Sequence, residues 1–216
     1  LFRSAAYMGL VRNVRRSGWL LLYLYGASPA VCKSFLQGNP GGLEELDAGT
    51  AFGQHATSLR MSDLGYRNSN QADLHVSANS LESYITDLVR ATHTPKPEFT
   101  AIGLKADGDY RQLSVNQLQV ENEYYSTVRP KRVARRGERA SAALRRGGVE
   151  YVELRALDVS PFDPVGVNQR QLCFLEAFLI YCLLADSPVI AAAERAQIDE
   201  NNLVVARRGR DPELRL

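Results

Sequence analysis

Glu153 and Arg155 stand two residues apart in the stretch VEYVELRALD at 149–158. On an extended strand that spacing puts both side chains on one face, about 7 Å apart. A carboxylate there suits a hard cation such as Mg²⁺. An arginine suits phosphate or carboxylate, because its planar fork reaches two oxygens at once. The stretch LQVENEYY at 118–125 repeats the theme, and as a strand it would carry Glu121, Glu123 and Tyr125 on one face. Between the two stretches runs Arg129, Lys131, Arg132, Arg135, Arg136, Arg139, Arg145 and Arg146, opposed only by Glu138. Two acidic strands flanking a cationic link would make a site for a metal ion and a polyphosphate. The same residues also fit solvated sheet faces joined by a cross-strand ion pair. The cationic run fits a solvated loop or a nucleic-acid backbone contact, although few aromatics interleave it and it carries no recognised nucleic-acid motif.

Other chemistries find little support. His55, His75 and His93 have no zinc-ligand spacing, and no cysteine pairs with them. There is no P-loop, no G-x-G-x-x-G and no G-x-S-x-G, so a nucleotide site would not be of the common glycine-loop kind. Cys32, Cys173 and Cys182 form no disulfide framework. The last two are about 13 Å apart along a helix, too far to bridge. A reducing, cytoplasmic setting is expected, with the three cysteines as core residues in apolar helical settings.

These residues must be held by elements that the pattern also suggests. Ser4 to Tyr25 reads as a helix with a basic middle at Arg12, Arg15 and Arg16, stopped by Gly26. Ser28-Pro29 is expected to open a short helix over Ala30 to Leu36. Residues 37–53 read as loop, and 58–71 as an irregular polar stretch of the kind that often carries function. Asn79 and Glu82 suggest a capping box, followed by Leu81, Tyr84, Ile85, Leu88 and Val89 along one helical face. Pro95 and Pro97 end that helix. Asp107-Gly108 is a hairpin turn between 102–105 and 110–114. A short helix over 140–146 stops at Gly147-Gly148. Asn168 and Gln171 cap an apolar helix running to about Ala185, expected to be buried. It is too short to span a bilayer. A further helix is expected from Ser187-Pro188 to about Ile198.

The 216 residues, with 45% hydrophobic and 23% charged side chains, describe an ordinary globular chain. A net charge of +2 does not by itself demand nucleic acid or membrane. The chain starts without methionine, and both ends resemble cuts, so a fragment of a longer protein is expected.

Four blocks together resemble the glutamate–cysteine ligase family, in its single-chain bacterial class. They are LYGASPAVCKSFL at 24–36, SLRMSDLGYRN at 58–68, QVENEYYSTVRPKRV at 119–133 and RRGGVEYVELRALDVSPFDPVGV at 145–167. They stand in the family's order and cover most of the chain. The resemblance implies an α+β, glutamine-synthetase-like core: a curved antiparallel sheet forming a funnel, with helices outside. All of 1–216 would be part of that single catalytic domain. It implies ATP as co-substrate and Mg²⁺ or Mn²⁺ as cofactor. Glutamate and cysteine would be joined through a γ-glutamyl phosphate, the first step of glutathione synthesis.

Residue by residue, Glu153 matches a metal-ligand carboxylate and Arg155 an arginine that contacts the transferred phosphoryl group. Tyr66 and Tyr125 match tyrosines of the cysteine pocket, and Arg60 an arginine at a substrate carboxylate. Glu123 is a weaker metal candidate, and Arg129, Lys131 and Arg132 are candidates for ATP contact. Thr127 and Arg135-Arg136 depart from the family pattern. Further metal ligands of the family would lie upstream of Leu1, so the fragment alone is expected to be inactive. Two other readings remain: a γ-glutamyl ligase for a different amine, and a polyanion- or nucleic-acid-binding module built on 129–146. The ligase reading expects small-molecule partners only, with neither nucleic acid nor membrane.

Overall fold

A computed structural model describes residues 2–36, 41–66 and 74–216. The first helix, α1 (Phe2–Tyr25), is the spine of the fold. Its Met8, Val11, Val14, Leu21 and Leu22 are almost fully buried. It packs against α5 (Gln169–Leu184), α6 (Ala192–Arg208) and strand β6 (Val128–Lys131). The basic middle of α1 is not a solvated face. Asn13 Nδ2 donates to Cys182 O at 3.0 Å and Ala185 O at 3.1 Å, carbonyls the end of α5 leaves without helical donors. Arg12 donates to Ser187 O at 2.8 Å and Asn79 O at 2.9 Å, and Arg16 pairs with Glu194.

The sheets are small and antiparallel. β1 (Ala30–Cys32) and β2 (Glu44–Glu45) flank β3 (Thr50–Phe52). β4 (Lys105–Ala106) pairs with β5 (Asp109–Tyr110). β6 pairs with β7 (Tyr151–Leu154). The helices between them are α2 (Leu81–Ala91), α3 (Pro97–Ile102) and α4 (Ala140–Gly147). The core joins α1 to Tyr84, Ile85 and Leu88 of α2, Leu144 of α4, Leu175 and Phe178 of α5, and Val205 of α6. No helix among the described residues is long and apolar enough to cross a membrane.

Several expectations are met. Asn168 and Gln171 form a reciprocal capping box on α5. Asp107 and Gly108 take φ of 53° and 92°, the left-handed pair of a tight hairpin turn. Others are corrected. Ala30–Cys32 is a strand rather than a helix, because its edge finds a partner in Thr50–Phe52 within the expected loop. The cap of α2 is Ser80 with Ser83, one residue later than Asn79 and Glu82. Asn79 instead bonds Ile190 through both N and O of its side chain. Proline at a first helical turn opens α3, where only a stop was expected. The last helix starts at Ala192, not Ser187, and continues to Arg208.

The largest correction concerns 118–125. It is not a strand, and Glu121–Glu123 forms a 3₁₀ turn. The strand beside β7 is the basic segment itself, so the two acidic strands with a cationic link become one hairpin of basic β6 on acidic β7. Glu121 is buried, and its carboxylate accepts from Ser141 N at 2.8 Å and from Ser141 Oγ. It thereby caps the amino end of α4. The cysteines divide: Cys182 is buried, while Cys32 and Cys173 are exposed. Helix α5 is apolar on more than its buried face, with Leu172, Tyr181 and Leu184 exposed at 55%, 64% and 78%.

Candidate functional site

Arg60, Tyr66, Tyr125 and Arg155 come from three separate segments and meet in one cluster. Arg60 sits in the single 3₁₀ turn Leu59–Met61. Its Nε donates to Asp158 Oδ1 at 2.6 Å, and its Nη2 donates to Leu157 O at 2.7 Å and Arg155 O at 3.2 Å. Tyr66 is returned to this turn by Tyr66 N donating to Arg60 O at 2.9 Å. Gly65 permits that return: a Cβ there would stand 2.1 Å from Arg60 O. The Tyr66 and Tyr125 rings then stack at 4.2 Å with 1° between their planes. The Arg60 guanidinium lies 5.4 Å from the Tyr66 ring centre, and that of Arg155 lies 4.8 Å from the Tyr125 ring centre. At these distances each cation is attracted by a ring quadrupole.

Arg155 follows β7 directly and extends its ladder, with Arg155 N donating to Thr127 O at 2.8 Å. The Tyr125 hydroxyl lies 3.0 Å from Arg155 O and 2.7 Å from Met61 Sδ. Burial pushes the Tyr125 hydroxyl up to about 12, against the opposing pull of Arg60 and Arg155. It is therefore a neutral hydrogen-bond donor at physiological pH. Burial opposes the Arg60 charge, but the Asp158 carboxylate outweighs it and the guanidinium ends above its ordinary value. Asp158 is also penalised by burial. Its bonds from Arg60, Ala27 N and Ser28 nevertheless hold its carboxyl below the usual range.

The basic hairpin forms a second region. In the β6–β7 register Arg129 faces Glu153 and Lys131 faces Tyr151, so all four share one sheet face. Arg129 is only 3% exposed. It hydrogen-bonds the Tyr84 hydroxyl, yet its Nε is buried without a partner. Glu153 Oε2 is also buried without a hydrogen bond, and lies 3.7 Å from Lys131 Nζ, ion-pair distance only. Arg129, Lys131, Arg132 and Arg139 line an open cavity of about 810 Å³, together with Tyr84, Tyr151, Glu121 and Glu138. Arg132 is partly committed: its Nε donates to Gly148 O at 2.6 Å, holding the end of α4.

Sequence reasoning placed Glu123 beside Glu153 as a second acid. The structure does not bring them together: Glu123 Oε2 accepts from Gln119 N at 2.6 Å in its own turn. Among the described residues no three His, Cys, Asp or Glu side chains gather in a group able to hold a metal ion. Glu153 is thus a single half-buried carboxylate with one oxygen that accepts no hydrogen bond. Sequence reasoning passed over Asp158, which stood as one more charge at the end of a stretch already carrying Glu150, Glu153 and Arg155.

The family model for glutamate–cysteine ligase matches residues 1–205. The chain is 51% identical over 215 residues to the glutamate–cysteine ligase of Hahella chejuensis, and 54% identical over 215 to that of Azotobacter vinelandii. In both it covers 100% of this chain and 41% of the relative, so the chain spans about two fifths of the length of the curated relatives it matches. In structure it is similar to the Francisella tularensis glutamate–cysteine ligase solved in complex with AMP. That match has a TM-score of 0.92 and 42% identity, over 99% of this chain and 43% of that one. A bifunctional glutathione synthetase from Pasteurella multocida matches at a TM-score of 0.64 and 25% identity, over 96% of this chain and 22% of that one.

Proposed function

The chain belongs to the glutamate–cysteine ligase family, and on that premise we propose that the protein containing it joins the γ-carboxylate of glutamate to the amine of cysteine at the expense of ATP. The γ-phosphoryl group of ATP passes to the glutamate γ-carboxylate, giving γ-glutamyl phosphate and ADP. The cysteine amine then attacks the acyl carbon, the C–O bond to phosphate breaks, and phosphate leaves. The observation that carries this reading is the convergence of Arg60, Tyr66, Tyr125 and Arg155 in one cluster, with Glu153 of β7 two residues before Arg155.

In this reading the Arg155 fork holds the phosphoryl oxygens and offsets charge as they transfer. Arg60 meets a substrate carboxylate. The hydroxyls of Tyr66 and Tyr125 orient the acceptor. Arg129, Lys131 and Arg132 face the triphosphate, and the cationic cavity on β6 is of a size to take a nucleotide. The Francisella relative was solved in complex with AMP, which supports a nucleotide substrate. The oxygen of Glu153 that accepts no hydrogen bond, 3.7 Å from Lys131 Nζ, fits a ligand for Mg²⁺ or Mn²⁺, with Glu123 a weaker candidate. The ion would offset charge on the phosphate oxygens when bound. The wider core would be a glutamine-synthetase-like funnel in one catalytic domain, working in the cytoplasm on small molecules, without nucleic acid.

The test is ADP release by the full-length protein with Mg-ATP and glutamate, with and without cysteine. Cysteine-dependent release is expected. Release with another amine alone would move the acceptor, and no release with any amine would overturn the ligase reading.

A further inference from the structure

Asp158 is 6% exposed, and both its oxygens are used. Oδ1 accepts from Arg60 Nε at 2.6 Å. Oδ2 accepts from Ala27 N at 2.9 Å and Ser28 Oγ at 2.7 Å. Three stretches of chain therefore meet on one carboxylate: the link after α1, the turn that carries Arg60, and the segment after β7. The same three are bonded again beside it, with Leu59 N donating to Ser28 O at 2.7 Å and Arg60 Nη2 donating to Leu157 O at 2.7 Å.

Beyond Asp158, Arg60 reaches the Arg155 carbonyl, the atom that also faces the Tyr125 hydroxyl. We infer that Asp158 is a positioning residue of this site: it sets where Arg60 stands, and through Arg60 it sets the backbone of Arg155 and the stacked tyrosines. The inference rests on the reading of Arg60 and Arg155 as substrate-facing groups. An arginine fork is useful only when aimed, since a shift of about 1 Å in a reacting geometry can cost about 100-fold in rate. A buried carboxylate with donors on both oxygens is a rigid means of aiming it.

The test uses the full-length protein. Asp158→Asn keeps the volume and one acceptor oxygen. It must, however, turn its NH₂ either on Arg60 or on Ala27 N–H and Ser28, so one side of the clamp fails. The variant is expected to lower kcat of cysteine-dependent ADP release about 10- to 100-fold, with KM for ATP within about twofold of wild type. Arg60→Lys should cost a similar factor, and the double variant should be no more than about threefold below the worse single, because the two act as one unit. A lowered Tm with kcat and KM unchanged would overturn the inference and leave a structural pin. Fully additive losses would overturn it as well.

If Asp158→Asn does not fold, Ser28→Ala removes one bond that holds the carboxylate. It should lower kcat about threefold at unchanged KM for ATP, and an unchanged kcat counts against the inference. A wild-type protein without cysteine-dependent ADP release sinks the ligase reading but not this one. Near-UV circular dichroism of the Tyr66–Tyr125 pair then decides. Asp158→Asn and Arg60→Lys should change it alike at an unchanged far-UV spectrum, and no change overturns the inference.

Discussion

The two halves of the candidate site are built in opposite ways. Around Tyr125 the polar groups already have partners: Arg60 on Asp158 and two carbonyls, the Tyr125 hydroxyl on Arg155 O, and Asp158 on three donors. On the β6–β7 hairpin two buried polar atoms, Arg129 Nε and Glu153 Oε2, make no hydrogen bond, and the second has only Lys131 Nζ at 3.7 Å. Leaving a buried donor or acceptor unpaired costs about 1–3 kcal/mol. A fold tolerates that where a ligand supplies the missing bonds. The first region is therefore a frame that fixes direction, and the second is a socket whose bonds are completed on binding. Substitutions should separate them. Changes in the socket should alter affinity for nucleotide and ion, and changes in the frame should alter rate.

Arg155 belongs to both, because its backbone is held by the frame and its side chain extends from the hairpin strand. It should give the largest effect. In the full-length protein Arg155→Ala is expected to lower steady-state cysteine-dependent ADP release by about 10³-fold or more, the range for losing a charge-stabilising arginine in phosphoryl transfer. A loss of less than about tenfold would break the division, since Arg155 would then belong to the frame alone.

Glu153 tests the socket directly. Glu153→Gln should slow turnover about 10- to 100-fold at low Mg²⁺ and move the Mg²⁺ dependence to higher concentration. Glu123→Gln should leave that dependence within about twofold, because its Oε2 is spent on Gln119 N. Equal effects would place both carboxylates at the ion and redraw the socket.

How far this could be read from the sequence depends on the kind of order involved. Glu153 and Arg155 were legible because strand periodicity is local, and the Asn168–Gln171 cap because its partners are three residues apart. The stretch 118–125 misled, because alternation of polar and apolar residues resembles a strand while strand formation needs a partner edge. That edge went to Val128–Lys131, which pairs with Tyr151–Leu154. The resemblance named Arg60, Tyr66 and Tyr125, but no spacing could show that they gather at Arg155, whose carbonyl meets Tyr125 and Arg60 from 30 and 95 positions away. Asp158 stayed hidden for the same reason. Its role exists only through Ala27, Ser28 and Arg60, all distant in the chain.

Arg129 should give a smaller effect than Glu153, and one confined to nucleotide. Arg129→Met keeps an unbranched apolar stem in the buried position beside Tyr84 and drops the guanidinium. It removes the charge and the cost of burying it but also takes a partner from the buried Tyr84 hydroxyl, so stability should fall by about 1–3 kcal/mol. The KM for ATP should rise about tenfold, with kcat within about threefold of wild type. A fall in kcat at constant KM would make Arg129 part of the frame instead.

The smallest effect should come from the frame's least charged member. Tyr125→Phe keeps the ring and its stack on Tyr66 but removes the hydroxyl that faces Arg155 O, a loss of about 1 kcal/mol of stability. Its signature lies in the alkaline range. Burial pushes the folded-state value of Tyr125 up to about 12, while an unfolded tyrosine titrates near 10. Below about pH 10 both states hold the proton, and the preference of the fold for the neutral ring is fully present. As the pH rises from 10 toward 12, the unfolded chain gives up the proton first, and stability falls. Tyr84, also raised to about 12 by burial, contributes a similar slope, so Tyr125→Phe should remove only part of it. The measurement is Tm of wild type and variant at pH 9 and at pH 11.5. A drop as large in the variant as in wild type would mean that Tyr125 is open to water, and the frame would lose the rigidity that distinguishes it from the socket.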